Sequence, residues 1–169
     1  SFIKTAKKNF NKIVQEDSTG LSLTFGQTLT AGILLSKHVR NFEGENIALV
    51  FPASVGGALA FIATTLSGKT PVGLNFIAGK EEQDCVMNTC DIKTIFTSRV
   101  FIQKAEIVED PRMVFIEDIK EKTSKLEKLF TYFSCKIKSS QSLIQKYKEI
   151  NAPDKPAIIL FTSGSESHP

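Results

Sequence analysis

Five short apolar runs, each followed or preceded by a stretch of helical pattern, constrain this chain more than any other feature. NIALVF (46–51), TPVGLN (70–75), KTIFTS (93–98), RMVFIEDI (112–119) and AIILF (157–161) read as strands, and NIALVF and AIILF are apolar almost throughout. Continuous apolar runs of this kind belong to strands covered on both sides, and alternation with helices predicts right-handed crossovers. The expected fold class is therefore α/β: a mainly parallel sheet with helices on both faces. Helical stretches are read at 53–68 (ASVGGALAFIATTLSG), 80–90 (KEEQDCVMNTC) and, briefly, at SRVFIQKA. Ahead of the sheet, FIKTAKKNF (2–10) reads as a short helix. KIVQED and LSLTF around Thr19-Gly20 read as a β-hairpin, and Thr24 is placed to cap a helix in which Leu29, Ile33 and Leu34 share a face. Ligands of such sheets bind outside the carboxyl ends of the strands.

A chain of 169 residues can bury one core, so one domain is expected, with NAPDKP (151–156) marking the way into the last strand. No apolar stretch approaches the roughly 18 residues of a membrane-spanning helix. Cys85, Cys90 and Cys135 form neither a disulfide framework nor a zinc pattern, since the histidines are only His38 and His168. Small thiols in a reducing, cytoplasmic compartment are the expectation. The first residue is Ser1 and no basic-then-apolar leader follows, which is read as a segment of something larger.

The net charge of +3 is unevenly spread: residues 120–150 hold eight Lys against three Glu. A local excess of this kind is not the footprint of a nucleic-acid-binding protein. Within it, Leu126, Leu129, Phe130, Phe133 and Ile137 follow helical spacing, with Lys120, Lys122, Lys125, Lys128, Lys136 and Lys138 around them. Two readings are open for this basic amphipathic segment. Either the stripe packs on the sheet and the lysines form a solvated face, or the basic face lies on anionic lipid or an acidic partner.

The last thirteen residues, AIILFTSGSESHP, run a strand straight into hydroxyls and one glycine. Successive N–H groups in such a turn can surround an anion, and Gly164 lets the backbone approach it without a Cβ in the way. The Walker A ending of Gly-Lys-Ser/Thr is absent. On physics alone the stretch is either a polar turn or a phosphate seat.

The order of residues in LFTSGSE, followed by His168-Pro169, resembles the nucleotide-phosphate loop of the acyl-adenylate-forming enzymes: acyl-CoA synthetases, luciferases and peptide-synthetase adenylation domains. LSLTFGQTLTAG, NIALVFPASVGGALAFIATTLSGKTPVGLN and DIKTIFTSRVF resemble the elements upstream in that superfamily, so the likeness covers nearly the whole chain. Within it, VGLNFIAG, IKTIFTSRVFI, VFIEDI and ILFTSGSE are most similar to the acyl-[acyl-carrier-protein] synthetase region of bifunctional 2-acylglycerophosphoethanolamine acyltransferases.

The resemblance implies that residues 1–169 are the N-terminal portion of an AMP-binding domain, cut within its phosphate loop. It places Thr162, Ser163, Gly164, Ser165 and Glu166 on the β- and γ-phosphates of ATP. Ser167 stands where the family usually has glycine, and His168 falls on a variable position with no catalytic role. It implies ATP and Mg2+ as cofactors, with the magnesium ligand, the adenine and ribose contacts and the catalytic lysine all beyond Pro169, so that no catalytic residue and no metal ligand lies within this chain. The implied reaction turns a fatty acid into an acyl-adenylate and then a thioester on acyl carrier protein or CoA, feeding reacylation of a lysophospholipid. The parent is then expected on the cytoplasmic face of the inner membrane, and the isolated segment is expected to be inactive. Its last strand, with an open edge, is expected to pair with a second copy or to leave a disordered tail. The rivals to this reading are a binding module without enzymatic activity, in which TSGS is an ordinary turn and the basic helices recruit a partner, and a nucleotide hydrolase of another kind.

Overall fold

A computed structural model describes residues 1–76, 78–148 and 155–161. The chain opens with α1 (Phe2–Lys8), whose Ile3 and Ala6 are buried. The hairpin follows as β1 (Ile13–Glu16) and β2 (Ser22–Thr24), antiparallel, with Gly20 at φ +80° in its turn. Thr24 then caps α2 (Phe25–Val39) as its sequence predicts. Its hydroxyl accepts from the Gln27 N–H at 3.2 Å, and its own N–H donates to Gln27 Oε1 at 2.8 Å, so two orphan donors are satisfied reciprocally.

The main sheet is built from β3 (Asn46–Val50), β4 (Thr70–Gly73), β5 (Thr94–Thr97), β6 (Met113–Phe115) and β7 (Ile159–Leu160). Their spatial order is β6-β5-β3-β4-β7, and every pairing is parallel. Helix α3 (Val55–Ser67) connects β3 to β4, α4 (Lys80–Thr89) connects β4 to β5, and α5 (Arg99–Lys104) connects β5 to β6. Because β3 steps to β4 on one side while β4 and β5 step to the other, right-handed crossovers put α3 and α4 on opposite faces.

The core divides accordingly. Ile47 and Phe96 face α2 and α3, packing with Leu35, Val39, Leu59 and Ala63. Their chain neighbours Ala48 and Ile95 point the other way, onto Val86, Met87 and Ile102 of α4 and α5. The period-two alternation of a strand thus serves two cores at once.

Two expectations are corrected. The run 112–119 is not one strand, since β6 ends at Phe115 and α6 (Ile116–Lys122) begins at the next residue. Ile116 and Ile119, three apart, are the buried pair of a helical face, and Glu117 and Asp118 are acids in the first turn, where a helix favours them. The unbroken apolar run from Met113 to Ile116, which spans the junction, hid this change of period.

The second correction concerns the basic segment. It forms α7 (Lys125–Ile137) and α8 (Ser140–Lys148), and the stripe of α7 does not pack on the sheet. Leu126 is 79% exposed, Phe130 77% and Ile137 80%. What α7 buries is Thr131 and Cys135, the latter in a third cluster with Ile3, Leu29, Ile33, Leu143 and Tyr147 from α1, α2 and α8.

Candidate functional site

The crevice of an open parallel sheet lies where neighbouring strands send their connections to opposite sides. Here those neighbours are β3 and β5: β3 leads right to α3 and β4, whereas β5 leads left to α5 and β6. The Thr97 hydroxyl, fully buried, donates to the Val50 carbonyl at 2.6 Å and ties the two carboxyl ends together. Just beyond, Phe51, Pro52, Ala53, Ser54 and Gly57 line a depression of about 390 Å³.

Helix α3 starts at this crevice, but its first amides are already committed. Ser54 Oγ accepts from the Gly57 N–H at 3.2 Å, and Asp17 Oδ2 of the hairpin turn accepts from the Val55 N–H at 3.1 Å. The Asp17 carboxyl is held below the ordinary aspartate value by the Thr19 hydroxyl first and the Val55 N–H second. This carboxylate takes the place an external anion would occupy, so the feature is a clasp between hairpin and helix.

On the other side of the crevice, Glu117 binds the turn after β5. Ser98 Oγ donates to Glu117 Oε1 at 2.6 Å and the Arg99 N–H donates to Oε2 at 3.0 Å. The Arg99 guanidinium reaches Asp118 at 3.0 and 3.2 Å and lies 4.0 Å from the centre of the Phe115 ring. Burial pushes the Glu117 carboxyl up, but the bonds from Ser98 and Arg99 outweigh it and leave the group below the ordinary glutamate value. The folded state therefore releases the Glu117 proton more readily than the unfolded chain does. Its contribution is fully present above the ordinary glutamate value and is lost as pH falls through the lower, folded one. Urea unfolding followed from neutral to acid pH is expected to show a loss of stability in that window which Glu117→Gln reduces; an identical acid slope in the variant would refute the assignment.

The strand that delivers the predicted phosphate loop is β7. It pairs with β4 through Val72↔Ile159 and Gly73↔Leu160, so its carboxyl end lies beside that of β4 on the same edge as the crevice. A Cβ on Gly73 would sit 2.9 Å from Leu160 Cδ2, the far end of an exposed side chain that can move aside. Thr162, Ser163, Gly164, Ser165 and Glu166 follow at once and lie outside the described residues, as do Ser167 and His168.

Other candidate chemistry is structural. Among the described residues no group of three or more His, Cys, Asp or Glu could hold a metal ion. Burial pushes the Cys90 and Cys135 thiols up, away from the nucleophilic thiolate. The Ser98–Arg99–Glu117–Asp118 cluster was not anticipated, since only the assignment of 116–122 to a helix would have brought those acids to the turn after β5.

A family model described as AMP-binding enzyme matches residues 2–169. Among solved structures, the chain is similar to the inhibitor-bound N-terminal domain of FACL13 from Mycobacterium tuberculosis, at 16% identity over 99% of this chain and 42% of that one, with a TM-score of 0.64. It is also similar to O-succinylbenzoate coenzyme A synthetase from Bacillus subtilis in complex with AMP, at 14% identity over 99% and 40%, with a TM-score of 0.67. VinN in complex with 3-methylaspartate gives 16% identity over 97% and 43%, and a TM-score of 0.67. At such identities the likeness is one of fold. The chain spans about two fifths of the length of these structures.

Proposed function

Because the chain belongs to the family of AMP-binding enzymes, we propose that it is the N-terminal part of an ATP-dependent ligase acting on a fatty acid. The match across residues 2–169 carries this reading; β7, paired with β4 as far as Leu160, ends at the carboxyl edge of the sheet and directly precedes Thr162 to Glu166 in the sequence. A carboxylate oxygen of the acid attacks the α-phosphorus of ATP, the bond to the β-phosphate oxygen breaks, and pyrophosphate leaves. A thiol sulfur then attacks the acyl carbon, and AMP departs as the thioester forms.

The part of this chain is the first half-reaction. As pyrophosphate leaves, negative charge grows on its oxygens, and the Thr162, Ser163 and Ser165 hydroxyls with the backbone N–H groups around Gly164 supply donors that favour the transition state over the ground state. Glu166 completes the loop. AMP-binding enzymes use ATP with Mg2+, but no acidic cluster among the described residues fits the metal, and the steps assigned to this chain need none of its residues as metal ligands. The preferred acceptor is the phosphopantetheine thiol of acyl carrier protein, with the acyl group passing on to a 2-acyl-lysophospholipid.

The test is ATP–pyrophosphate exchange driven by a long-chain fatty acid, in the longest natural polypeptide that carries these residues. Exchange is expected, with Gly164→Val and Ser163→Ala lowering its rate by about 100-fold or more for the weaker of the two, while residues 1–169 alone give none. Absence of exchange in the intact protein would refute the ligase, and full activity in both variants would refute the loop. Thioester formed on carrier protein and not on CoA identifies the acceptor.

A further inference from the structure

Helix α7 is turned inside out. At about 100° per residue, Leu126, Leu129, Phe130, Phe133 and Ile137 fall within an arc about 100° wide, while Thr131 and Cys135 occupy the opposite side. It is the second, smaller side that faces the body of the protein; both of its residues are buried, and all five apolar side chains are exposed. An apolar arc of this width turned to solvent needs a partner.

The charge around it says which. Lys125 and Lys136 border the arc, Lys120 and Lys122 end the preceding helix and Lys138 follows α7, while Lys128 lies on the far side of the helix beside Cys135. The one acid on α7, Glu127, is neutralised by Lys37 of α2 at 2.8 Å and is thereby drawn toward the body. An apolar groove of about 560 Å³ runs alongside between α2 and α7. Leu129 and Tyr132 line it, with Lys120, Lys125 and Lys128 also contributing, so the apolar surface and the cations are continuous.

We propose that α7 is a membrane-docking element which lies in the plane of an anionic bilayer, its Leu126–Phe130–Ile137 face sunk to the acyl boundary and its lysines on the lipid phosphates. Such a surface offers an apolar layer and a plane of negative charge together, and lysine stems can lie along the first while their heads reach the second. The arc contains no hydrogen-bonding side chain that would set a register against a folded partner. A second copy docked on the same face would bring two sets of lysines together. No described helix is long and apolar enough to cross a membrane, so the contact is peripheral. The inference is independent of the ligase reading, because vesicle binding and pyrophosphate exchange can each fail while the other persists.

Sedimentation of the chain with phosphatidylglycerol–phosphatidylcholine vesicles, against phosphatidylcholine alone, tests it. Binding is expected to the anionic vesicles only, and to weaken with salt. Combining Leu126→Glu with Phe130→Glu is expected to lower the partition coefficient by about tenfold or more; both side chains are exposed, so the fold is kept and circular dichroism should be unchanged. Lys125→Gln with Lys136→Gln should lower it several-fold and flatten the salt dependence. The proposal is overturned by equal binding to neutral vesicles, or by undiminished binding of the double glutamate variant. A dimer that Phe130→Glu splits, with no vesicle binding, also overturns it, as does loss of binding in the longest natural polypeptide that carries α7.

Discussion

Replacing Phe96 with alanine is expected to lower the stability of the domain by about 3–5 kcal/mol. The ring is fully buried in β5, an interior strand of the sheet between β6 and β3. It meets the rings of Phe42 and Phe51 edge-on, at centroid distances of 5.3 and 5.5 Å and interplanar angles of 75° and 84°. Truncation removes the transfer free energy of the ring, leaves a cavity that rigid neighbours from α2, α3 and β3 cannot close, and forfeits two aromatic pairs worth about 0.5–1.5 kcal/mol each. Domains of this size have about 5–15 kcal/mol in all, so the variant should be close to unfolding at ordinary temperature. Urea unfolding followed by circular dichroism measures it; a loss below about 1.5 kcal/mol would show that the cluster around Phe96 collapses more freely than its packing indicates.

Gly57→Val is the second large effect, for the opposite reason. A Cβ at this position would sit 2.9 Å from the Pro52 carbonyl oxygen and 3.1 Å from Phe51 Cβ. The first of these is backbone and cannot swing away, so the start of α3 must shift from the end of β3. Overpacking of this kind costs about 1–3 kcal/mol, and the branched side chain places it at the upper end. The displacement also falls on the depression at the crevice mouth, which gives a second measurement. Backbone amide shifts in the variant are expected to concentrate at Phe51 to Ala58, and a perturbation spread evenly over the sheet, or none at Ser54, would contradict this cause.

How far these features were legible depends on what fixed them. The strand runs at 46–51, 70–75 and 93–98 announced themselves because burial on both faces leaves no polar period to confuse. The Thr24 cap was visible because its partner Gln27 stands three residues on, a local arrangement. RMVFIEDI misled because its apolar residues suit a strand and a helix equally. The switch at Ile116 is decided by Glu117 meeting Ser98 and Arg99, which are distant in sequence. In α7 the helix was legible but its orientation was not, since spacing defines an apolar face without saying what covers it. The clasp of Asp17 on Val55 left no trace in composition for the same reason.

Among the described residues the hold of β7 on the sheet is slight: two residue pairs with β4, on a strand whose Leu160 is 68% exposed. Short, wet pairings open at little free energy compared with the global transition. Whatever seats itself just past Phe161 must therefore spend part of its affinity on holding that strand in register, and a nucleotide bound there would act as a late fastener of the sheet.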